Sequence, residues 1–327
     1  MGRPMAQRLA ERYEVIAFDL DASRFDGLDS VTRAKSVGEV GESARTVLMS
    51  LPTTQAVETV VLGEGGLLEA VDGASGGGGA AAAGSAGDAA GGGTGPASGD
   101  SAGSGAGLAD GGIVIDMSTT QPIATKRIAS ALAERAVSFA DAPVSGGPAG
   151  AADGSLSIMV GCEEGDWERT EAVLSALGSS VVRVGAPGSG GVAKLVNNMI
   201  VGAAFTSVAE GFAVAAAHDI DISTLHQAIR GGWAGSKVLD LSAEAVSKGD
   251  FAPTGTVDLL SKDLGYARDL ARADNIPVPV TAIVDEVFTA AKARGTGGNF
   301  QAVIVELWEK LLGRPIGANA EGRLGIR

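Results

Sequence analysis

Lys194 and Asn198 are the two residues whose types and spacing most directly suggest chemistry. They stand four positions apart near the start of an apolar run, residues 192–217, that follows a glycine-rich segment. Glycines propagate regular structure poorly and the run has helical periodicity, so a helix is predicted to begin near Gly190. Residues four apart share one helix face, which places an ammonium and an amide side by side. A lone helix lysine is usually a solvated surface residue, but this lysine lies within an apolar run, which favours a functional role.

A glycine-rich segment earlier in the chain offers a second set of polar groups. Ser145, Gly146 and Gly147 end the sequence D-A-P-V-S-G-G, which follows a short apolar stretch. A serine hydroxyl and two glycine amides can form a concave set of donors for a carboxylate, because glycine allows close approach to the backbone. A glycine-rich turn is usually only a turn, so this segment alone does not define a site.

The first residues predict elements that would position a dinucleotide. MGRPMAQRLAERY is typical of a helix with proline in its first turn, and residues 14–19 are typical of a short strand. Helix, strand and then an acidic residue form the second half of a β-α-β dinucleotide-binding unit. The Asp19 carboxylate would accept the adenosine ribose hydroxyls and repel a 2′-phosphate, which favours NAD over NADP. Aspartate after a strand is also common in turns, so that interpretation stays open.

Two later loops each follow a predicted strand. Leu51 and Pro52 come after one strand, and Thr119 comes after the next. A proline loop after a strand is ordinary. Ser118 or Thr119 could equally be the N-cap of the helix predicted at residues 122–135, and both roles can hold together.

Together these segments resemble the β-hydroxyacid dehydrogenases, the family of 3-hydroxyisobutyrate dehydrogenase and tartronate semialdehyde reductase. Residues 188–198 match G-x-G-x-x-x-K-x-x-N-N, and residues 141–156 match D-A-P-V-S-G-G-x-x-G-A-x-x-G-[ST]-L. The first motif is long and chemically unusual, and the two motifs together indicate a site more strongly than either does alone.

The resemblance implies hydride transfer between NAD and a short 3-hydroxy acid or its semialdehyde. It assigns Lys194 as the general acid/base and Asn198 as a substrate ligand, and it places the substrate carboxylate on Ser145, Gly146 and Gly147. A free lysine, with a pKa of about 10.4, is a poor base at neutral pH, so burial must lower the pKa of Lys194.

The resemblance also implies which residues bind the cofactor: Met1, Gly2, Asp19, Leu51, Pro52, Thr119 and Lys262. Lys262 belongs to a K-D-L sequence whose lysine reaches cofactor and substrate in the family. An exposed helix pair of Lys262 and Asp263, worth about a few tenths of a kcal/mol, is the alternative.

Met1 and Gly2 correspond to the last two residues of the family's G-x-G-x-M-G fingerprint, so the strand before it is absent from the sequence. A Rossmann sheet without that central strand would leave its neighbours facing a gap or closing up. The start codon is then internal to a longer protein, or the chain is a non-catalytic oligomeric relative with a damaged cofactor site. The intact lysine, asparagine and glycine turn oppose the second explanation.

We therefore predict an α/β fold: a Rossmann-type doubly wound sheet without its first strand, then an all-α domain joined by a long interdomain helix. The predicted bounds are residues 1–186 for the dinucleotide-binding domain, 187–313 for the helical domain and 314–327 for a frayed tail. Residues 73–112 are rich in Gly, Ala and Ser and cannot offset their ordering entropy by burial, so they are predicted to be a disordered insertion. The resemblance implies a homodimer or homotetramer.

Composition argues against several kinds of partner. The 327 residues carry a formal net charge of −14, which disfavours nucleic acid and anionic membranes, and the expected partner is a small carboxylate substrate. Cys162 is the only cysteine, which indicates a cytoplasmic protein, and the apolar run around Lys194 is interpreted as a buried helix. His218 and His226 are interpreted as structural, and no cluster has metal-ligand spacing.

Overall fold

The computed structural model of the protein describes residues 1–76 and 107–317. The chain divides into two compact units, Met1–Gly190 and Gly191–Arg327. The first unit contains the strands and the second is built from helices.

The first unit holds two sheets. Strands β1 (Val15–Ala17) and β2 (Val31–Arg33) form a parallel pair, and a six-stranded sheet has the order β3-β4-β5-β7-β6 with β8 beside β7. Strands β3 to β5 are parallel, whereas β7 runs antiparallel to β5 and β6. The strands of the larger sheet are β3 Thr46–Met49, β4 Ile113–Asp116, β5 Ser138–Asp141, β6 Val144–Ser145, β7 Leu156–Cys162 and β8 Gly178–Gly185.

Helices cover both faces of the larger sheet. All four residues of β4 are buried, as expected for an apolar parallel strand covered on both sides. Ile113 and Ile115 belong to one hydrophobic cluster and Val114 to another, because successive strand residues point to opposite faces. The helices of this unit are α1 Gly2–Leu9, α2 Val37–Ser43, α3 Thr54–Leu62, α4 Leu67–Gly76, α5 Pro122–Ala133, α6 Gly147–Asp153 and α7 Trp167–Leu174. The predicted doubly wound arrangement is confirmed.

The sheet is divided between β1 and β3. Within the described residues these two strands belong to separate sheets, so they have not closed up into one. This is the position at which the sequence predicted the loss of a central strand. The edges of β1 and β3 therefore lack the strand partner that a continuous Rossmann sheet would give them.

The predicted disordered insertion at 73–112 is wrong at both ends. Helix α4 continues to Gly76, and the backbone amide of Leu108 donates to the Gly41 carbonyl oxygen at 2.8 Å. Leu108 is fully buried, so a single bulky apolar side chain is enough to anchor this end of the segment. Residues 77–106 lie outside the described residues.

The second unit is helical, as predicted. Its long first helix, α8, begins in the first unit at Ser189 and ends at Ala217, close to the predicted start at Gly190. Length and composition alone would let α8 cross a membrane, a property that core helices of globular proteins share. The remaining helices are α9 Ile222–Ile229, α10 Lys237–Lys248, α11 Val257–Ala273, α12 Pro279–Ala293 and α13 Val305–Leu312.

The predicted frayed tail begins too early. Ile316 is fully buried, and its amide donates to Glu309 Oε1 at 3.0 Å. The Arg314 guanidinium lies 2.7 Å from the Asp219 carboxylate. Residues 314–317 are therefore held to the second unit, and residues 318–327 lie outside the described part of the chain.

Ser242 provides a test of packing in the second unit. Its hydroxyl is buried with no hydrogen-bond partner among the described residues, and it faces a small void lined by Phe205, Phe212 and Val246. An unsatisfied buried polar group costs about 1–3 kcal/mol. We therefore expect Ser242→Ala to raise the midpoint of thermal unfolding, measured by calorimetry.

Ser236→Ala is the matched control on the same helix. The Ser236 hydroxyl caps α10 by accepting the Leu239 amide at 3.1 Å. Its removal should reduce the free energy of unfolding by about 1 kcal/mol and so lower the midpoint of thermal unfolding. A lower midpoint for Ser242→Ala would contradict the packing argument.

Candidate functional site

A cluster of buried polar side chains lies between α8 and α11 in the second unit. Asn198 Nδ2 donates to Asp263 Oδ2 at 2.5 Å, and these two residues are only 8% and 5% exposed. Asn197 Nδ2 donates in turn to Asn198 Oδ1 at 2.9 Å. The two bonds fix the orientation of the Asn198 amide, because its nitrogen must face Asp263 and its oxygen must face Asn197.

Lys262 supplies a positive charge to the same cluster. Its ammonium lies 2.9 Å from Asp263 Oδ1 and 4.9 Å from the centroid of the Tyr266 ring. The side chains of Lys262 and Asp263 are 20% and 7% exposed. The interpretation of this pair as an exposed helix pair is therefore wrong, because α11 turns Asp263 toward the interior.

Lys194 is partly buried on α8, and its environment shifts its proton affinity. Burial lowers the pKa of Lys194, the Asp263 carboxylate opposes this by raising it, and the Lys262 ammonium lowers it. Burial likewise raises the pKa of Asp263, against the charges of Lys262 and Lys194 and the hydrogen bond from Asn198. The cluster therefore brings the predicted residues Lys194, Asn198 and Lys262 into one electrostatic environment.

Asp263 was not among the site residues predicted from the sequence. Its signal was present in the helical period, because Leu260, Leu264 and Ala267 mark the buried face of α11 and Asp263 falls on it. A charged residue on a buried helix face needs polar partners, and here Asn198 and Lys262 provide them.

The predicted carboxylate-binding glycines lie in the first unit. Ser145 ends β6, and Gly146 adopts a φ of 130°, which an L side chain rarely adopts. Sequence reasoning assigned a turn here, but Gly147 begins the short helix α6, whose N-cap is Gly146. Ser145 and Gly147 are partly exposed and Gly146 is exposed, so these groups are accessible from solvent within their own unit.

A buried aspartate connects the two sequence motifs. Asp141, the first residue of one motif, accepts the backbone amide of Gly188, the first residue of the other, at 2.6 Å. Gly190 packs so closely that a Cβ there would collide with the Met159 and Asp141 carbonyl oxygens. The second glycine of G-x-G, Gly190, is therefore required for the start of α8 to pack against β5 and β7.

The predicted adenosine-ribose residue, Asp19, follows β1. It is exposed, and its carboxylate accepts the backbone amide of Asp21 at 2.9 Å, as the turn interpretation expects. Met1 is the N-cap of α1, and a Cβ added at Gly2 would meet no other atom within 4 Å.

The two loops that contain the predicted cofactor residues Leu51, Pro52 and Thr119 are bonded to each other. The Leu51 amide donates to Ser118 Oγ at 2.8 Å. The N-cap of α5 is Gln121, so the alternative role of Ser118 or Thr119 as its N-cap is wrong. Pro52 is exposed, and Leu51 and Thr119 are partly exposed.

The described residues fit a dinucleotide. Asp19, Leu51 and Thr119 all follow the carboxyl ends of parallel strands, where ligands bind in open α/β sheets. The exposed Asp19 carboxylate suits ribose hydroxyls.

His226 contacts a residue outside the Lys194 cluster. His226 Nε2 lies 2.6 Å from Asp240 Oδ1, which joins α9 to α10. Over residues 1–76 and 107–317, no group of three or more His, Cys, Asp or Glu side chains could hold a metal ion.

Two family models match the chain. The model described as the NAD binding domain of 6-phosphogluconate dehydrogenase matches residues 1–86 and 98–199. The model described as NAD-binding of NADP-dependent 3-hydroxyisobutyrate dehydrogenase matches residues 188–308.

Full-length relatives agree with these matches. The chain is 30% identical to 2-(hydroxymethyl)glutarate dehydrogenase from Eubacterium barkeri, over 96% of this chain and 93% of that one. It is also 30% identical to 2-hydroxy-3-oxopropionate reductase from Escherichia coli strain K12, over 94% of each chain. The crystal structure of 3-hydroxyisobutyrate dehydrogenase from Salmonella typhimurium shares the fold, with a TM-score of 0.74 and 23% identity over 94% of this chain and 95% of that one. The protein is therefore a member of the β-hydroxyacid dehydrogenase family and an NAD(P)-dependent oxidoreductase.

Proposed function

We propose that this protein transfers a hydride between NAD and a short 3-hydroxy acid or its semialdehyde, of the 3-hydroxyisobutyrate or 2-hydroxy-3-oxopropionate type. The observation that carries the proposal is the Lys194 ammonium on an apolar helix, close enough to the buried Asn198–Asp263 pair for Asp263 to affect its pKa. A structural lysine has no need of such an environment, whereas a general acid/base depends on it.

Lys194 moves the proton that accompanies the hydride. During oxidation its neutral amine accepts the proton of the substrate hydroxyl, and the substrate carbon becomes a carbonyl. During reduction its ammonium donates a proton to the carbonyl oxygen. A bound nicotinamide accepts or supplies the hydride. The lowered pKa of Lys194 enlarges the fraction of neutral amine at any given pH, which favours the oxidation direction.

Asn198 binds the substrate with the hydrogen-bonding capacity that its neighbours leave. The bonds to Asp263 and from Asn197 use one N–H and one oxygen lone pair. A second N–H and a second lone pair remain for a hydroxyl or carbonyl oxygen. Ser145 and the amides of Gly146 and Gly147 bind the substrate carboxylate, which supports a short acid as the substrate.

The cofactor is NAD rather than NADP in this proposal. The exposed Asp19 carboxylate would accept the ribose hydroxyls and repel a 2′-phosphate. Met1, Gly2, Leu51, Pro52, Thr119 and Lys262 are the other residues that would hold the cofactor.

We further propose that the protein is a homodimer or homotetramer. Helix α8 exposes an apolar stripe that includes Val196, Ile200 and Val214, of which Ile200 is 65% exposed. A second copy of the chain could cover this stripe. Cytoplasmic location stays a prediction.

One observation favours a second candidate function. The division of the sheet between β1 and β3 falls within the dinucleotide-binding half, which favours a non-catalytic oligomeric family member with a damaged cofactor site as the alternative. The measurements below separate the two candidates.

Lys194→Ala should lower kcat for both directions by about 10²–10⁴-fold, because it removes the proton acceptor and donor. The assay is NAD reduction with 3-hydroxyisobutyrate and NADH oxidation with tartronate semialdehyde. NADH binding, measured by calorimetry, should be retained.

Lys248→Ala is the matched control, since Lys248 is an exposed helix lysine paired with Glu244. It should leave kcat unchanged. If the unaltered protein fails to bind NADH, the oligomeric-relative function replaces the enzyme function.

Asp263→Asn should shift the pH dependence of kcat/KM for 3-hydroxyisobutyrate oxidation toward lower pH. The Asp263 carboxylate raises the pKa of Lys194 by stabilising the ammonium, so its neutralisation lets that pKa fall further. Neutral amine then forms at lower pH, and the rising limb of the profile moves with it.

Asp258→Asn is the control on the same helix, where the exposed Asp258 carboxylate faces Lys292. Its profile should match that of the unaltered protein. A shift of the Asp263→Asn profile to higher pH would contradict the assignment of Lys194 as the base.

A further inference from the structure

The loops that follow β3 and β4 are bonded to each other reciprocally. Ser118 Oγ accepts the Leu51 amide at 2.8 Å, and Thr54 Oγ1 accepts the Gln121 amide at 3.0 Å. The loop after β4 thus supplies the Ser118 hydroxyl, and the start of α3, directly after the loop that follows β3, supplies the Thr54 hydroxyl. The two bonds join residues 51–54 to residues 118–121 at both ends of each segment.

Asp116 fixes the second of these loops to the end of β4. Its Oδ1 accepts the Ser118 amide at 3.0 Å, and its Oδ2 lies 3.5 Å from Thr120 Oγ1. The hydroxyls of Thr120 and Thr125 are 2.9 Å apart. The Ser118 hydroxyl is consequently held where the Leu51 amide can reach it.

These polar groups are all buried, which the fold alone does not require. Asp116, Thr120 and Thr125 are each 1% exposed, and Ser118 is 5% exposed. Burying polar groups costs free energy that their hydrogen bonds only offset, so the presence of this network suggests a role beyond stability. Thr119, between two buried neighbours, is the residue that the network leaves partly exposed.

We propose that Asp116, Ser118 and Thr54 are positioning residues that hold Leu51, Pro52 and Thr119 as one rigid surface for the dinucleotide cofactor. This inference rests on the proposed function, because it requires a dinucleotide as the ligand. A surface that is ordered before binding spares the ligand the entropy of ordering it. None of the network residues is among the charged groups that shift the pKa of Lys194, which are Asp263 and Lys262, so the network should act on cofactor affinity and leave that pKa unchanged.

Ser118→Ala tests the network at its central hydroxyl, and Ser118→Thr restores that hydroxyl. The dissociation constant for NADH should rise by about tenfold in Ser118→Ala, as expected for one lost hydrogen bond, and should recover at least in part in Ser118→Thr. The KM for NAD should rise with it, while the pH profile of kcat/KM stays in place.

Hydrogen exchange of the chain without cofactor gives a readout that does not depend on activity. The Leu51 amide, followed by mass spectrometry of the peptide that contains it, should exchange about tenfold faster in Ser118→Ala, because it loses its acceptor. Thr170→Val is the matched control, since the buried Thr170 hydroxyl donates to the Asp166 carbonyl at 2.7 Å in α7, away from these loops. It should leave both the Leu51 exchange and the NADH affinity unchanged.

Three results would overturn the inference. Unchanged Leu51 exchange in Ser118→Ala would show that the hydroxyl does not restrain the loop. Faster exchange with unaltered NADH affinity would show that the network only stabilises the fold. Failure of the unaltered protein to bind NADH would remove the proposed function itself, and the exchange experiment would then still report whether the loops are coupled.

Discussion

The bond between the Asn198 amide and the buried Asp263 carboxylate is the interaction on which the polar cluster of the second unit depends. A carboxylate removed from water must be bonded and compensated in charge, or it takes up a proton. Asn198 supplies the hydrogen bond and Lys262 the charge, and Lys194 lies within electrostatic reach. Burial drives both Lys194 and Asp263 toward their neutral forms, whereas their mutual attraction favours the charged forms. This opposition keeps the protonation of Lys194 sensitive to small changes around it, which suits a group that must gain and lose a proton.

A second buried carboxylate, that of Asp141, positions the start of α8 in the first unit. Asp141 accepts the Gly188 amide, and Gly190 packs against carbonyl oxygens of Asp141 and Met159. These contacts determine where α8 begins, and the position of Lys194 along the helix follows from that start. The spacing between Gly190 and Lys194 thus has two causes. Gly190 is needed for close backbone packing, and Lys194 must stand where its side chain reaches the polar cluster.

Long periodic segments made most of the fold predictable from the sequence. Helix α8 and the helices of the second unit have apolar repeats over many residues, and β4 is a continuous apolar run between turn signals. The failures involve single residues whose burial depends on distant partners. Leu108 packs beside Gly41, and Ile316 bonds to Glu309. Local composition around both residues favours disorder, and only tertiary contacts reverse it.

The residues of the candidate site likewise include some that the sequence could predict and some that it could not. Lys194 and Asn198 could be found because one helix carries both, and their spacing is visible in the sequence. The contact of Asn198 with Asp263 joins residues on two helices, and the contact of Leu51 with Ser118 joins loops from two neighbouring strands. No periodicity within one segment predicts such pairs, because they depend on which elements become neighbours.

The divided sheet adds a constraint on how a cofactor could be held. Asp19 follows a strand of the two-stranded sheet, whereas Leu51 and Thr119 follow strands of the larger one. The hydrogen bonds between the loops after β3 and β4 stiffen only the part of the site that belongs to the larger sheet. A dinucleotide that contacts Asp19 and Leu51 together would therefore bridge two sheets that no strand pairing joins within the described residues. Part of its binding free energy would be spent on ordering the two sheets relative to each other. Because the cofactor would bind only the folded state, its binding would also stabilise the whole unit against unfolding.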